Sequence, residues 1–112
     1  MVFADKNLEA AVRKALEKPE EPLTKEVIRE LTSLHTSMPL IETEIEVLFG
    51  IDSAVNLTKL NLCEYQINDV SPLASLTNLE YLALTNNKIS DVSPLASLTN
   101  LTTLSLRLNP LN

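Results

Sequence analysis

The sequence predicts an α/β repeat solenoid, in which short parallel β-strands line a concave face and an α-helical cap precedes them. Three observations support this fold class. One segment of the chain recurs unchanged, the apolar residues within each repeat alternate as in a strand, and the N-terminal part of the chain has a helical period instead. A unit of such a fold cannot bury its apolar side alone, so each unit is expected to stack on its neighbours.

The repeat has a 22-residue period. The segment DVSPLASLTNL occupies positions 69–79 and again 91–101. At the same offset Leu60, Leu82 and Leu104 share one column, and a period of about 20–29 residues with leucines at this spacing is the signature of a leucine-rich repeat. A degenerate earlier copy keeps the period, with these apolar residues in the corresponding positions: Met38, Leu40, Ile45, Leu48, Ile51 and Leu57.

The clearest copy, LEYLALTNNKI at positions 79–89, predicts a short strand. Leu82 and Leu84 are expected to point into the interior, because apolar and other residues alternate here with a period of two. The opposite, exposed face is expected to carry the residues between and beside them: Tyr81, Ala83 and Thr85. Corresponding strands should pair in parallel, ~4.8 Å apart.

Asparagine follows the strand in two of the copies. The side chains of Asn87 and Asn109 can hydrogen-bond backbone groups where the chain turns out of the strand. Tyr65 takes this position in the copy before them. Because a phenol ring is too large for that role, the turn at Tyr65 is expected to be distorted.

The back of each full repeat is predicted to form a turn or two of 3₁₀ or α-helix. Ser71 and Ser93 each precede a proline suited to the first helical position, so both serines are predicted to be capping residues. Asp69 and Asp91 recur at corresponding turns, where capping is favoured over metal binding. An apolar ladder should fill the interior behind the sheet: Val70, Leu73, Leu76 and Leu79, with Val92, Leu95, Leu98 and Leu101 one repeat later.

Two amphipathic helices are predicted ahead of the repeats, the first opened by Asp5 and the second by Thr24. Their apolar faces group Leu8, Ala11, Val12, Ala15 and Leu16, then Val27, Ile28 and Leu31. A solenoid exposes its apolar interior at the ends, so we interpret residues 1–37 as an N-terminal helical cap and residues 38–112 as repeats of the same domain. A separate helical hairpin is the alternative, although so short a pair buries little area alone.

The junction between cap and repeats has two competing registers. The segment LTSL at positions 31–34 resembles the start of a strand, whereas the 22-residue period points to Met38 and Leu40. Both cannot occupy one rung of the sheet unless residues near 35–43 loop out. The sequence leaves this junction open.

Composition and charge argue against several functions. The chain has 112 residues, 45% of them hydrophobic, and a net charge of −6, which repels polyanions. Aromatic residues are 4% and Trp is absent, so stacking platforms for nucleic acid are also missing. The lone Cys63 cannot form an intrachain disulfide, and neither a signal peptide nor an apolar run of ~18 residues is found. We expect no nucleic-acid binding and no membrane insertion.

Candidate catalytic and metal-binding residues are few. His35 is the only histidine, and Cys63 falls at an exposed position of a predicted strand with no recognisable oxyanion hole. The acidic run Glu42, Glu44 and Glu46 could attract calcium, but such a run is more often a solvated face. No enzymatic activity, metal or cofactor is therefore expected.

Nearly the whole chain resembles one family. The segments LTNLEYLALTNNKISDVSPLASLTNL (76–101) and NLTKLNL (56–62), with FADKNLEAAVRKAL (3–16) and LTKEVIRELTSL (23–34) before them, are similar to the internalin-like leucine-rich repeats of bacterial surface and secreted proteins and their caps. The resemblance implies a concave sheet that holds protein ligands at or outside the cell surface. The few repeats and the lack of a recognisable C-terminal cap after Leu111 make a fragment or an engineered chain an alternative.

The candidate binding site follows from a contrast between the repeats, whose backs are identical while their strands differ. We predict that the concave face binds a protein, or less favourably a glycan, through nine residues: Lys59, Asn61, Cys63, Tyr81, Ala83, Thr85, Thr103, Ser105 and Arg107. Tyr81 and Arg107 are residue types that often anchor interfaces. Unconstrained drift or a designer's arbitrary choice would give the same contrast.

A structural or self-assembling unit is the second functional hypothesis. Its uncapped C-terminal edge would pair with another copy of the chain. This end is expected to expose apolar side chains: Leu104, Leu106, Leu108 and Leu111.

Overall fold

The structure is a computed structural model that describes residues 3–18, 20–35 and 45–111. Its two helices are α1 (Lys6–Leu16) and α2 (Lys25–Ile28). Its four strands are β1 (Ser33–His35), β2 (Lys59–Asn61), β3 (Tyr81–Ala83) and β4 (Thr103–Ser105). Short 3₁₀ helices lie between successive strands, at Ile51–Ser53, Ser71–Ser75 and Ser93–Ser97.

The strands described form one open parallel sheet in the order β1-β2-β3-β4. Strand order equals chain order, so each connection makes one turn of a solenoid. Leu60 pairs with Leu82 and Leu82 with Leu104, each one full period further along the chain. The predicted parallel sheet and leucine-rich-repeat architecture are confirmed.

The first step of the sheet departs from the 22-residue period. Leu34 pairs with Leu60, which is a longer step than one period, so the segment LTSL supplies β1. The extra length lies between Leu34 and Ile45, which are further apart in the sequence than the equivalent pair Leu60 and Ile67. The competing candidates Met38 and Leu40 lie outside the described residues, as does the predicted boundary between residues 37 and 38.

Beyond this junction the degenerate copy returns to the predicted register. Its apolar residues Ile45, Leu48, Ile51 and Leu57 are all buried. Gly50 has a φ of 111°, and a methyl group there would stand 2.6 Å from Cδ1 of Phe3. This φ favours glycine. A larger side chain would also clash with Phe3, because the Phe3 ring packs directly on the backbone of the first repeat.

Asp5 joins the cap to that repeat through a single carboxylate. Its Oδ1 accepts hydrogen bonds from the backbone N–H groups of Asn7 (2.9 Å) and Leu8 (3.1 Å), which makes Asp5 the predicted N-cap of α1. Its Oδ2 accepts from the N–H groups of Glu46 (2.8 Å) and Val47 (3.2 Å), 41 and 42 residues away. Helix initiation and docking of the cap therefore depend on the same side chain.

The helical cap buries most of its predicted apolar face. Leu8 and Val12 are fully buried, whereas Ala15 is exposed, contrary to the prediction, at the edge of the helical stripe. Thr24 is the N-cap of α2, since its Oγ1 accepts a hydrogen bond from the N–H of Val27 at 3.2 Å. Helix α1 ends at Leu16 and α2 begins at Lys25, so the two helices are separate elements as predicted.

The residues that cap the 3₁₀ helices Ser71–Ser75 and Ser93–Ser97 are the aspartates and not the serines. Asp69 Oδ1 accepts the hydrogen bond of the Ser71 N–H, and Asp91 Oδ1 that of the Ser93 N–H, both at 2.9 Å. These bonds, with those from the serine hydroxyls, lower the pKa of both aspartates. The side chains of Ser71 and Ser93 do not cap these helices, because each serine is the first residue of its helix and its hydroxyl bonds the aspartate two residues earlier.

The identical backs have a structural explanation. Polar side chains there donate hydrogen bonds to carbonyl groups one turn of the solenoid earlier. Four such bonds span 23 residues: Ser75 to Asp52 (3.2 Å), Ser97 to Ala74 (2.8 Å), Asn78 to Val55 (2.9 Å) and Asn100 to Thr77 (2.9 Å). Repeat geometry on this side therefore depends on residue identity as well as on burial.

Candidate functional site

Asparagine side chains bond the backbone where the chain leaves β2, β3 and β4. Asn87 is 2% exposed, and its Nδ2 donates to the carbonyl oxygens of Leu62 (2.9 Å) and Leu84 (3.0 Å). Its Oδ1 accepts from the N–H of Ile67 at 3.2 Å. The bond to Leu84 is the one predicted within its own turn, and the bonds to Leu62 and Ile67 also hold the preceding turn at a fixed separation.

Asn109 repeats the arrangement one turn later. Its Nδ2 donates to the carbonyl oxygens of Leu84 (2.8 Å) and Leu106 (3.1 Å), and its Oδ1 accepts from the N–H of Ile89 (3.1 Å). The asparagine is only half-buried here, because no further turn covers it in the described structure.

The turn at Tyr65 does not show the predicted distortion. Glu64, Asn86 and Leu108 occupy equivalent positions in three turns and share a left-handed backbone, with φ values of 65°, 58° and 60°. Tyr65 is 4% exposed, so its ring is part of the core. The turn keeps its shape because Asn87 of the following repeat supplies the hydrogen bond to the Leu62 carbonyl.

Side chains on the concave face form three columns, two along the strands and one just beyond them. The first column contains Ser33, Lys59, Tyr81 and Thr103, which are direct neighbours across the four strands. All four are exposed, and 37% of Tyr81 remains accessible despite its size. This column is the most accessible part of the predicted site.

The second column is more closely packed. It contains His35, Asn61, Ala83 and Ser105 in register. His35 is exposed, Asn61 and Ser105 are half-buried, and Ala83 is only 5% exposed. The prediction that Ala83 is an exposed site residue is therefore wrong, because its methyl group is shorter than the side chains on both neighbouring strands.

The third column lies just beyond the strands. Cys63 and Thr85 are half-buried, and Arg107 is exposed. The hydroxyl groups of Thr85 and Ser105 are 2.7 Å apart and form a hydrogen bond. This bond fixes two of the predicted site residues and leaves the Arg107 side chain as the most accessible group of the column.

An open groove of about 330 Å³ lies on the same face, toward the cap. Its lining comprises Ser33, Leu34, His35, Lys59, Leu60, Asn61 and Tyr81. Ser33 and His35 were not among the predicted site residues. Their one sequence signal was the strand-like segment LTSL, which the 22-residue period did not support.

The two candidate catalytic residues, His35 and Cys63, come from neighbouring turns of the solenoid. His35 pairs with Asn61 across the sheet, and Cys63 lies two residues further along the chain. Within residues 3–18, 20–35 and 45–111, no three His, Cys, Asp or Glu side chains form a group that could hold a metal ion. Glu46 is exposed, and Glu42 and Glu44 lie outside the described residues. The helices of the described part are all too short or too polar to cross a bilayer.

Two copies of a family model described as leucine-rich repeats match residues 55–97 and 77–112. The chain belongs to the leucine-rich-repeat family. No curated protein matches the sequence. The family match covers the repeats that carry β2, β3 and β4 and all nine predicted site residues.

Similar solved structures show which kind of leucine-rich-repeat protein the chain resembles. An internalin, InlF, from Listeria monocytogenes is 34% identical with a TM-score of 0.88, over 99% of this leucine-rich-repeat chain and 32% of InlF. The CBM51-2 and INT domains of Clostridium perfringens ZmpB are 28% identical with a TM-score of 0.68, over 80% of this chain and 18% of theirs. InlJ, also from Listeria monocytogenes, is 25% identical with a TM-score of 0.64, over 97% of this chain and 28% of InlJ. The protein is an internalin-like leucine-rich-repeat protein that spans about a third or less of each of these chains.

Proposed function

We propose that this protein is a non-enzymatic recognition module that binds a protein ligand on its concave face, at the surface of a bacterial cell or outside it. The observation that carries the proposal is the first column, where four different side chains stand exposed on strands that are held in fixed register. Repeated bonds along the backs and varied residues along the strands suit a scaffold whose surface determines what it binds. The location follows the resemblance to internalins.

Substitution of the two predicted anchors tests this proposal. Peptides selected on the immobilised protein from a random 12-residue display library serve as ligands. Tyr81→Ala and Arg107→Ala are each expected to weaken peptide binding at least about tenfold, as loss of an interface anchor does. Both variants should remain folded at the assay temperature; Arg107→Ala should change the melting temperature little, whereas Tyr81→Ala should lower it somewhat, because only 37% of Tyr81 is accessible. Titration calorimetry and thermal unfolding measure the two effects.

Ser75→Ala is the control for the opposite side of the solenoid. Its hydroxyl is exposed and bonds the Asp52 carbonyl on the back, so peptide affinity should stay unchanged. A set of peptides whose affinity depends on Ser75 and not on Tyr81 or Arg107 would place binding on the back and contradict the proposal.

Self-association through the C-terminal edge is the second candidate function. The observation in its favour is exposed apolar area at that end, where Leu104, Leu108 and Leu111 are 47%, 70% and 43% exposed. Burying such area against a second copy would be favourable, and β4 is the edge strand of the sheet that the described residues form, so its outer backbone groups suit the contact.

Sedimentation at increasing protein concentration tests this candidate. A dimer or larger species is expected at high concentration, and Leu108→Lys should restore the monomer by placing a charge in the contact. Phe49→Lys is a matched control, since Phe49 is 65% exposed but lies in the first repeat. A wild-type chain that stays monomeric over the whole range would rule out self-association.

A further inference from the structure

The first column is a row of hydrogen-bond donors. Ser33, Lys59, Tyr81 and Thr103 end in hydroxyl, ammonium, phenol and hydroxyl groups, and all four can donate. They are consecutive partners across the sheet, so their Cα atoms are spaced by about 4.8 Å. The Lys59 ammonium can only donate, and Tyr81 stands directly beside it. A carboxylate, which has two acceptor oxygens, suits this pair better than any neutral group does.

The charge on this face is opposite to that of the whole protein. The chain has 15 acidic and nine basic residues, yet the outward positions of the three columns contain Lys59 and Arg107 and no acid. Glu64 and Glu80 stand beside them in the chain, outside the columns. Within the described residues neither Lys59 nor Arg107 has an ion-pair partner, since the pairs found there join Arg13 to Glu9 and Lys18 to Glu21. Two cations are thus available to a ligand.

We propose that the concave face binds an acidic segment of its partner protein, with a carboxylate held between Lys59 and Tyr81 and a second near Arg107. This inference rests on the proposed function and adds the chemistry of the ligand. A long polyanion would be repelled by the net charge of −6, whereas a short acidic segment contacts only the local positive surface. A neutral sugar would leave both cations without a counter-charge.

The composition of the selected peptides is the first test. Peptides from the random 12-residue library that bind the intact protein are expected to be enriched in Asp and Glu relative to the unselected library. The affinity of a selected acidic peptide should fall as salt is raised, because the contacts are solvent-exposed charges. Peptides without acidic enrichment would overturn the inference.

A matched pair of lysine substitutions is the second test. Lys59→Met removes the charge but keeps an unbranched side chain, and it should weaken the acidic peptide about twofold to fivefold, as expected for an exposed charge pair at the upper end of its range. Lys88→Met makes the same change at an exposed lysine in the turn after β3, beyond the three columns. It should have no effect. Equal losses in the two variants would show a diffuse charge effect and overturn the inference.

The outcomes separate this inference from the proposed function. Peptides that lose affinity with Tyr81→Ala but are indifferent to Lys59→Met and to salt would leave concave-face recognition standing and overturn the acidic ligand. Peptides indifferent to Tyr81, Arg107 and Lys59 would contradict both. Binding of neutral chitotriose with no selectable peptide would assign the face to a glycan and overturn both as well. Circular dichroism melting of each variant confirms that it is folded.

Discussion

Leu84→Ala is expected to lower the free energy of unfolding by about 2–5 kcal/mol. The Leu84 side chain is fully buried between the sheet and the back of its repeat. Its N–H donates to the Ser105 carbonyl and its carbonyl accepts from Asn109, both in the following turn. Its carbonyl also accepts from Asn87, which bonds Leu62 in the preceding turn, so the turns on both sides are held in place. The backbone is therefore unable to collapse into the space that the substitution leaves. A small domain is stable by about 5–15 kcal/mol in total, so this is a large fraction.

Thr85→Ala is the control for the opposite face of the chain, at the outward residue next to Leu84, just beyond β3. The Thr85 side chain is half-buried and has one hydroxyl contact, with Ser105 at 2.7 Å. Its loss should cost about 1 kcal/mol or less, since water can reach the half-buried hydroxyl of Ser105 and replace the bond. Urea denaturation followed by circular dichroism gives both values. Equally mild effects would mean that the inner and outer faces of the strand have been assigned wrongly.

The period explains most of what the sequence could predict about the fold. A verbatim repeat fixes the register of Leu60, Leu82 and Leu104 without any knowledge of contacts, and the alternation along each strand assigns the two faces. Leu34 could not be placed in this way, because its step to Leu60 is longer than one period and the extra length falls between it and Ile45. A period identifies only those strands that obey it, and β1 does not.

The site was predicted less completely, because exposure depends on neighbours that alternation ignores. Ala83 alternates with Leu82 and Leu84 as an outward residue does, yet it is only 5% exposed, and its methyl group is shorter than the Asn61 and Ser105 side chains beside it. Ser33 and His35 reach the same face only because β1 joins the sheet. The groove toward the cap could therefore not be inferred from the repeats alone.

The geometry of the turns also depends partly on local sequence and partly on contacts between repeats. The capping role of Asp69 is local and was predictable, since an aspartate bonds the N–H two residues on. The regular turn at Tyr65 is tertiary, because the bond that replaces the missing asparagine comes from Asn87, in the next repeat. The sequence of one repeat taken alone therefore cannot predict this hydrogen bond between repeats.

Asn87→Ala is expected to destabilise the protein by about 3 kcal/mol or more, although the side chain is polar. Removing it leaves the Leu62 carbonyl and the Ile67 N–H without these bonds in a buried turn, and each unsatisfied buried group costs about 1–3 kcal/mol. The substitution also cuts a link between two successive repeats, so we expect the loss to spread along the solenoid.

Two further variants separate the causes of this loss. Asn87→Leu restores the volume but not the hydrogen bonds, so it should recover little of the stability. Asn109→Ala removes the equivalent side chain at a half-buried position, where water can reach the freed groups, and should cost about 1 kcal/mol. Urea denaturation of the three variants gives the ranking, and hydrogen exchange of the Ile67 amide reports the local loss of protection. If Asn87→Leu were as stable as the wild type, packing and not hydrogen bonding would hold these turns together, and Asn87 would have no special role in setting the concave face.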